Sequence, residues 1–109
     1  MSIALITGGS GHVGANLVRE LIAQDYKVRC IDFDGDHRAF EGFDVELIKG
    51  SVTDVDSLDK AFEGADVVFH TAAIISLERK NKDLIRSVNV EGTKNVCHMS
   101  LKHNIQKLI

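Results

Sequence analysis

The sequence lacks the features that mark several common classes of protein. It has only two cysteines, Cys30 and Cys97, which lie far apart and form no CxxC pair, so a reduced, cytoplasmic compartment is favoured. No apolar run reaches the length of a membrane-spanning helix, and the N-terminus has no signal-peptide pattern. The net charge of −3 argues against nucleic acid or an anionic membrane as a partner, because such partners select clustered Lys and Arg.

Residues arranged for catalysis or metal binding are also missing. The single tyrosine, Tyr26, is followed four residues later by Cys30 and not by a lysine. No HExxH motif occurs, and His98 and His103 are five residues apart, so they diverge on a helix. We therefore expect no metal site, and no catalytic residue, within these 109 residues.

What the sequence does contain is a glycine-rich turn between an apolar run and a helical pattern. Gly8, Gly11 and Gly14 follow the apolar residues 3–7. Glycines at this spacing let a strand turn sharply into a helix and let the backbone approach a pyrophosphate at the positive end of that helix. The turn predicts a dinucleotide-binding site, and the alternative is a structural turn without a ligand. His12 in this turn and His70 at a strand end are interpreted as positioning or packing residues.

The choice between NAD and NADP depends on the residues after the second apolar run. Asp32 ends that run, close to the offset of about 20 residues expected for a ribose-binding carboxylate. A carboxylate there accepts hydrogen bonds from both ribose hydroxyls and repels a 2′-phosphate, so NAD is favoured. Arg38 lies a few residues further on and offers a contact for a 2′-phosphate, which keeps NADP as the less favoured alternative.

Short apolar runs alternate with helical patterns along the whole chain. Strands are predicted at residues 3–7, 28–31, 45–48, 66–70 and 107–109. Helices are predicted from residue 13 to about 24 or 25, from residue 55 to a stop at Gly64, and from 82 to 103. Thr53 and Asp56 resemble a capping box for the second helix. This alternation is typical of an α/β fold, a Rossmann-like doubly wound parallel sheet that forms a single domain over residues 1–109.

The fifth predicted strand begins only three residues before the end of the chain. A parallel strand this short leaves its neighbour partly unpaired. Two interpretations remain open: a short edge strand that closes a small domain, or the front part of a longer protein whose sheet is cut at the start of its fifth strand.

These residues resemble the N-terminal part of an extended short-chain dehydrogenase/reductase. This family includes the NAD-dependent epimerase/dehydratases, the dihydroflavonol reductases and the 3β-hydroxysteroid dehydrogenases. The resemblance spans nearly the whole chain and is somewhat closer to the last two branches, because of residues 74–76 and the charged stretch after them. The family's glycine motif is matched by Gly8, Gly11 and Gly14, and its ribose acid by Asp32.

Three further segments carry the resemblance and imply cofactor contacts. Residues 50–54 are similar to the segment that contacts adenine, which assigns Ser51 and Val52 to that contact, with Ser51 standing where the family has Asp. Residues 67–73 are similar to the fourth strand and its turn along the cofactor, and residues 89–96 to a helix whose first residue, Asn89, faces the cofactor. The implied cofactor-binding residues are Gly8, Gly11, His12, Val13, Gly14, Asp32, Ser51, Val52, Thr71, Ala72, Ala73 and Asn89.

The resemblance implies an oxidoreductase or epimerase/dehydratase that transfers a hydride between NAD and a hydroxyl or carbonyl substrate. The family's catalytic Ser or Thr and Tyr-x-x-x-Lys pair would follow residue 109. Its partners would be a small-molecule substrate and a second copy of the same chain. One alternative is a non-catalytic, NAD(P)-sensing relative of the same fold, and another is a small domain that binds only the adenosine half of a nucleotide.

Overall fold

A computed structural model describes residues 2–8, 12–32, 42–71 and 82–109. The strands are β1 (Ile3–Thr7), β2 (Lys27–Asp32), β3 (Val45–Lys49), β4 (Val67–His70) and β5 (Lys107–Leu108). The helices are α1 (His12–Ala23), α2 (Val55–Phe62), α3 (Lys82–Arg86) and α4 (Gly92–Lys102), with a π-helical turn at Ser87–Glu91 between α3 and α4. Residues 33–41, between β2 and β3, lie outside the described residues.

The five strands form one parallel sheet in the order β3-β2-β1-β4-β5. The chain moves outwards from β1 through β2 to β3 and then returns to the other side of β1 to form β4. This reversal beside β1 is the topological switch point of a doubly wound sheet, where ligands bind at the carboxyl ends of the strands. The predicted fold class is therefore confirmed, including a fifth strand at residues 107–108, which pairs with β4.

Strand β1 lies at the centre of the sheet and is buried on both faces. Leu5 packs on one face, in a cluster with α2 and α4 that includes Phe62. Ala4 and Ile6 pack on the other face, in a cluster with α1 that includes Val18. Successive side chains of a strand point to opposite faces, and a parallel sheet covered on both faces therefore has continuous apolar strands. This is why β1 was recognisable from its sequence.

The second helix is stopped as expected but is capped by a different residue. Gly64 has φ +76 and follows the C-cap residue Glu63, which is the position where a left-handed glycine ends a helix. The N-cap is Asp54, whose side chain accepts a hydrogen bond from the Ser57 backbone. The expected capping by Thr53 and Asp56 was wrong, because the Thr53 hydroxyl is 2.8 Å from the Ser51 hydroxyl and belongs to the preceding turn.

The single helix predicted over residues 82–103 was also wrong, since the π-helical turn interrupts it. The hydroxyl of Thr93 donates a 2.8 Å hydrogen bond to the carbonyl of Asn89 within this turn. A π-helical turn contains an extra residue, which changes the face of the helix on which later side chains lie. The turn here ends just before Gly92, which is buried and packs tightly against Val52. Apolar periodicity shows where a helix exists but does not register a local change in its winding.

Candidate cofactor-binding site

The carboxyl ends of β1, β2, β3 and β4 lie along one edge of the sheet, because all four strands are parallel. Backbone hydrogen bonds join these ends to one another. The N–H of Gly8 donates to the carbonyl of Ile31 at 3.0 Å, and the N–H of Gly50 donates to the carbonyl of Asp32 at 3.0 Å. The predicted site residues that follow these strands therefore share one edge.

The turn after β1 begins with a backbone conformation that suits glycine. Gly8 has φ +72, a region that residues with a Cβ rarely adopt. Helix α1 starts at His12, so His12, Val13 and Gly14 form its first turn and their backbone N–H groups lie at its N-terminus. Gly14 is buried. Such a strand, turn and helix N-terminus suits the close approach of a phosphate group.

Three of the predicted site residues lie outside the described residues. They are Gly11, Ala72 and Ala73. The backbone of the other nine predicted residues is described. Apart from Asn89, each of them lies at a strand end, within three residues after one, or in the first turn of the helix after β1.

Asp32 is the last residue of β2 and is half-buried at the sheet edge. Its negative charge acts on a neighbouring thiol: burial first, and the charge of Asp32 second, raise the pKa of Cys30 to about 12. Cys30 therefore stays protonated at neutral pH and is not a nucleophile. Asp32 directly follows Ile31, whose carbonyl accepts the hydrogen bond from Gly8 in the turn after β1.

The segment after β3 forms a compact turn in which Ser51 and Val52 have different roles. The Ser51 hydroxyl accepts a 3.1 Å hydrogen bond from the Thr53 backbone, which fixes the turn from within. Val52 is only 4% exposed and packs in the core cluster of α2 and α4. The turn is thus anchored by its apolar residue.

Thr71 follows β4 and binds the end of β1 through several contacts. Its N–H donates to the Thr7 hydroxyl at 3.0 Å, and its own hydroxyl donates to the Thr7 carbonyl. Thr7 is completely buried and is the last residue of β1. The ends of β1 and β4 are therefore held together at the switch point, next to the glycine turn.

His70 connects this junction to the helical layer. Its Nδ1 lies 2.7 Å from the hydroxyl of Thr7, and its Nε2 lies 2.9 Å from the hydroxyl of Thr93. Burial lowers the pKa of His70, which favours the neutral ring. Because Thr93 donates its proton to the Asn89 carbonyl, it accepts from Nε2–H, so Nδ1 is left to accept from Thr7. His70 was predicted to be a positioning or packing residue, and these contacts hold its ring between Thr7 and Thr93.

The lowered pKa of His70 makes the stability of the fold depend on pH. An unfolded histidine has a pKa near 6.5, so below this pH the unfolded chain binds a proton that the folded chain resists. The contribution of His70 is fully present above that pH and is lost as the pH falls through about 6.5 towards the lower folded-state pKa. We expect the urea midpoint to fall more between about pH 7.5 and about pH 5.5 in the natural protein than in His70→Gln. An equal fall in both proteins would contradict this assignment.

Asn89 lies within the π-helical turn and is half-buried. Its carbonyl is held by Thr93, four residues later. Single π-helical turns inside α-helices often occur at functional sites, because they redirect side chains. Thr93 was not among the predicted site residues. Its position four residues after Asn89 could have indicated it, because a threonine hydroxyl in a helix can reach the carbonyl four residues earlier.

The described tyrosine and the described cluster of charged side chains lie away from the edge of the sheet that carries the glycine turn. Tyr26 immediately precedes β2, at the opposite edge of the sheet from the glycine turn. An open depression of about 550 Å³ lies between α2 and the end of α4, where Asp59 accepts hydrogen bonds from Lys102 and His103. These two hydrogen bonds, with that from His103 the stronger, lower the pKa of Asp59. No group of three or more metal-ligating side chains occurs among the described residues, and none of the described helices is long and apolar enough to cross a membrane.

A parallel sheet in this order, with a glycine turn after its central strand, defines a Rossmann-like fold. The chain belongs to the 3-beta hydroxysteroid dehydrogenase/isomerase family, whose model matches residues 5–109. The resemblance drawn from the motifs is confirmed, including its closer relation to the steroid dehydrogenase branch.

Individual relatives support the same assignment. The chain is 36% identical over 106 residues to sterol demethylase protein B of Methylococcus capsulatus, with 96% of this chain and 32% of that protein covered. It is 37% identical over 111 residues to a 3-beta-hydroxysteroid dehydrogenase of Mycolicibacterium neoaurum, with 96% and 30% covered. A short-chain dehydrogenase/reductase superfamily protein from Agrobacterium tumefaciens, solved with bound NAD, matches with a TM-score of 0.86 at 29% identity, covering 97% of this chain and 31% of that one. The chain thus spans about a third of the length of these relatives.

Proposed function

We propose that this chain is the NAD-binding portion of an oxidoreductase that exchanges a hydride with a hydroxyl or carbonyl substrate. The observation that carries the proposal is the family match over residues 5–109. Within these residues, the glycine turn, Asp32 at the end of β2, and the ends of β3 and β4 share one edge of the sheet. That edge lies at the switch point, where doubly wound folds bind nucleotides.

Each part of NAD has a proposed place along this edge. Gly8 and the turn of Gly11, His12, Val13 and Gly14 hold the pyrophosphate at the N-terminus of α1. Asp32 accepts hydrogen bonds from the adenosine ribose, and Ser51 and Val52 border the adenine. Thr71, Ala72, Ala73 and Asn89 line the path towards the nicotinamide. When bound, NAD supplies the hydride acceptor, and these residues bind and orient it.

The substrate class is proposed from the two relatives named for sterols or steroids. We propose that the whole protein oxidises a secondary hydroxyl on a steroid-like ring system. The proton-transfer residues of that reaction are expected outside residues 1–109, since the described part places no tyrosine near the cofactor edge. A polycyclic alcohol is apolar apart from its hydroxyl, so its binding would rest on a mainly hydrophobic pocket.

Purified protein, as its gene encodes it, tests this proposal directly. The protein is mixed with NAD⁺ and either a 3β-hydroxysteroid or UDP-glucose, and NADH is followed by its absorbance. We expect NADH only with the steroid, and no NADH from Gly11→Val, because a branched side chain fills the space that the pyrophosphate needs. NAD binding without turnover of either substrate would contradict the substrate class, and absence of NAD binding would contradict the function itself.

The remaining partners follow from the surface of the described helices. We propose a cytoplasmic protein that acts as a homodimer. Leu101 on α4 is 81% exposed and Val90, just before α4, is 47% exposed, which leaves apolar surface available for a second copy.

A further inference from the structure

The N-terminal half of α4 packs directly against the turn after β3. Gly92 is buried, and a Cβ built on it would lie 2.4 Å from Cγ2 and 3.1 Å from Cβ of Val52. Real side chains essentially never approach so closely, so any larger residue at position 92 must push Val52 away. The glycine thereby sets the distance between the helix and the turn.

Asn95 makes a second contact with the same residue. Its Nδ2 donates a 2.9 Å hydrogen bond to the backbone carbonyl of Val52. Asn95 is half-buried and lies three residues after Gly92, so both residues are on one face of α4. Val52 is therefore held by its side chain through Gly92 and by its backbone through Asn95.

The rest of the turn is held by other elements. Gly50 donates its N–H to the Asp32 carbonyl of β2, and Ser51 donates its N–H to the Ser57 hydroxyl of α2 at 3.3 Å. Val52 is the point at which α4 joins this framework. Loss of the Asn95 hydrogen bond therefore leaves the Val52 carbonyl without this partner, while the bonds of Gly50 and Ser51 to β2 and α2 remain.

We propose that Gly92 and Asn95 are positioning residues: they fix Val52, whose side chain lies in the core, so that the turn after β3 is held at the adenine of NAD. This inference rests on the proposed function, because it takes the turn after β3 to be the adenine contact. Asn89 precedes these residues in the same run of helix, so one helical segment holds the adenine turn and also carries a residue assigned to the other half of the cofactor.

Binding of fragments of NAD to Asn95→Leu tests the proposal. Leucine keeps the approximate size of asparagine but has no donor, so the Val52 carbonyl loses its partner. Calorimetric titration of the gene-encoded protein should show AMP and NAD binding weakened by a similar factor, roughly 5- to 30-fold, with nicotinamide mononucleotide unaffected. His98→Leu, on the exposed side of the same helix, is the matched control and should leave all three affinities unchanged.

The outcomes separate this inference from the proposed function. If the natural protein binds neither NAD nor AMP, the proposed function fails. If it binds both and Asn95→Leu keeps its AMP affinity, or loses affinity for all three ligands alike, the positioning role is overturned.

A second pair of variants tests the packing contact independently of Asn95. Gly92→Ala should weaken AMP binding. The double variant Gly92→Ala/Val52→Ala should bind AMP more tightly than Gly92→Ala alone, because alanine at position 52 lacks the Cγ2 atom that would lie 2.4 Å from the new Cβ. The single variant Val52→Ala completes the set. If the loss of AMP affinity in the double variant equals the sum of the losses in Gly92→Ala and Val52→Ala, the packing role of Gly92 is overturned.

Discussion

Replacement of Asp32 by alanine is expected to weaken NAD binding about 10- to 100-fold and NADP binding much less. The carboxylate at the end of β2 would accept hydrogen bonds from both hydroxyls of the adenosine ribose, and bonds to a charged acceptor are the stronger kind. For NADP the same substitution removes a repulsion with the 2′-phosphate, which offsets the loss. The preference for NAD over NADP should therefore shrink, as measured by calorimetric titration of both nucleotides.

The control for this prediction is Asp44→Ala. Asp44 is exposed and immediately precedes β3, so it lies at the opposite edge of the sheet while carrying the same charge. Asp44→Ala should leave the affinities for NAD and NADP unchanged. This result would exclude a general effect of the net charge of the protein. Equal losses for NAD and NADP in Asp32→Ala would remove the ribose assignment.

Replacement of Phe62 by alanine is expected to have the largest effect on stability. Phe62 ends α2, is completely buried, and lies 6.0 Å from the ring of His103 between centroids. Truncation of a buried phenylalanine costs about 3–5 kcal/mol through lost burial and the remaining cavity. Domains of this size are stable by only about 5–15 kcal/mol, so this one change removes a large fraction of the total.

Urea unfolding measures this loss, and the same helix provides the control. Val55 begins α2 and is 48% exposed, so Val55→Ala should change the free energy of unfolding by less than about 0.5 kcal/mol. A loss in Phe62→Ala no larger than that in Val55→Ala would mean that the face of α2 assigned to the core is not closely packed.

The sequence predicted the strands because they depend on local patterns. Strands buried on two faces appear as short apolar runs, so β1, β2 and β4 were found to within a residue or two at each end. Parallel pairing then requires their carboxyl ends to share one edge. Gly64 was likewise predicted as a helix stop, since a left-handed conformation there favours glycine.

The features that were not predicted depend on contacts between distant residues. Asn95 binds the backbone of Val52 across 43 residues, and His70 links Thr7 to Thr93 across two layers. The spacing of apolar residues does not indicate such pairs, because a polar residue such as Asn95 or His70 is equally common at an exposed position. The π-helical turn at Ser87–Glu91 was not predicted either, because apolar spacing along a helix does not record a local change in its winding.

The central position of β1 has a consequence for the order in which the protein can fold during synthesis. Ala4 pairs with Val28 on one side and with Val67 on the other. The second partner leaves the ribosome 63 residues after Ala4, which takes roughly 3–13 s at about 5–20 residues per second. During that interval β1, β2 and β3 can assemble, because the chain that links each of them to the next is shorter than that between β1 and β4, while the other edge of β1 exposes unpaired backbone groups. The strand that begins the cofactor site is thus the first to be made, and its environment is completed only when β4 arrives.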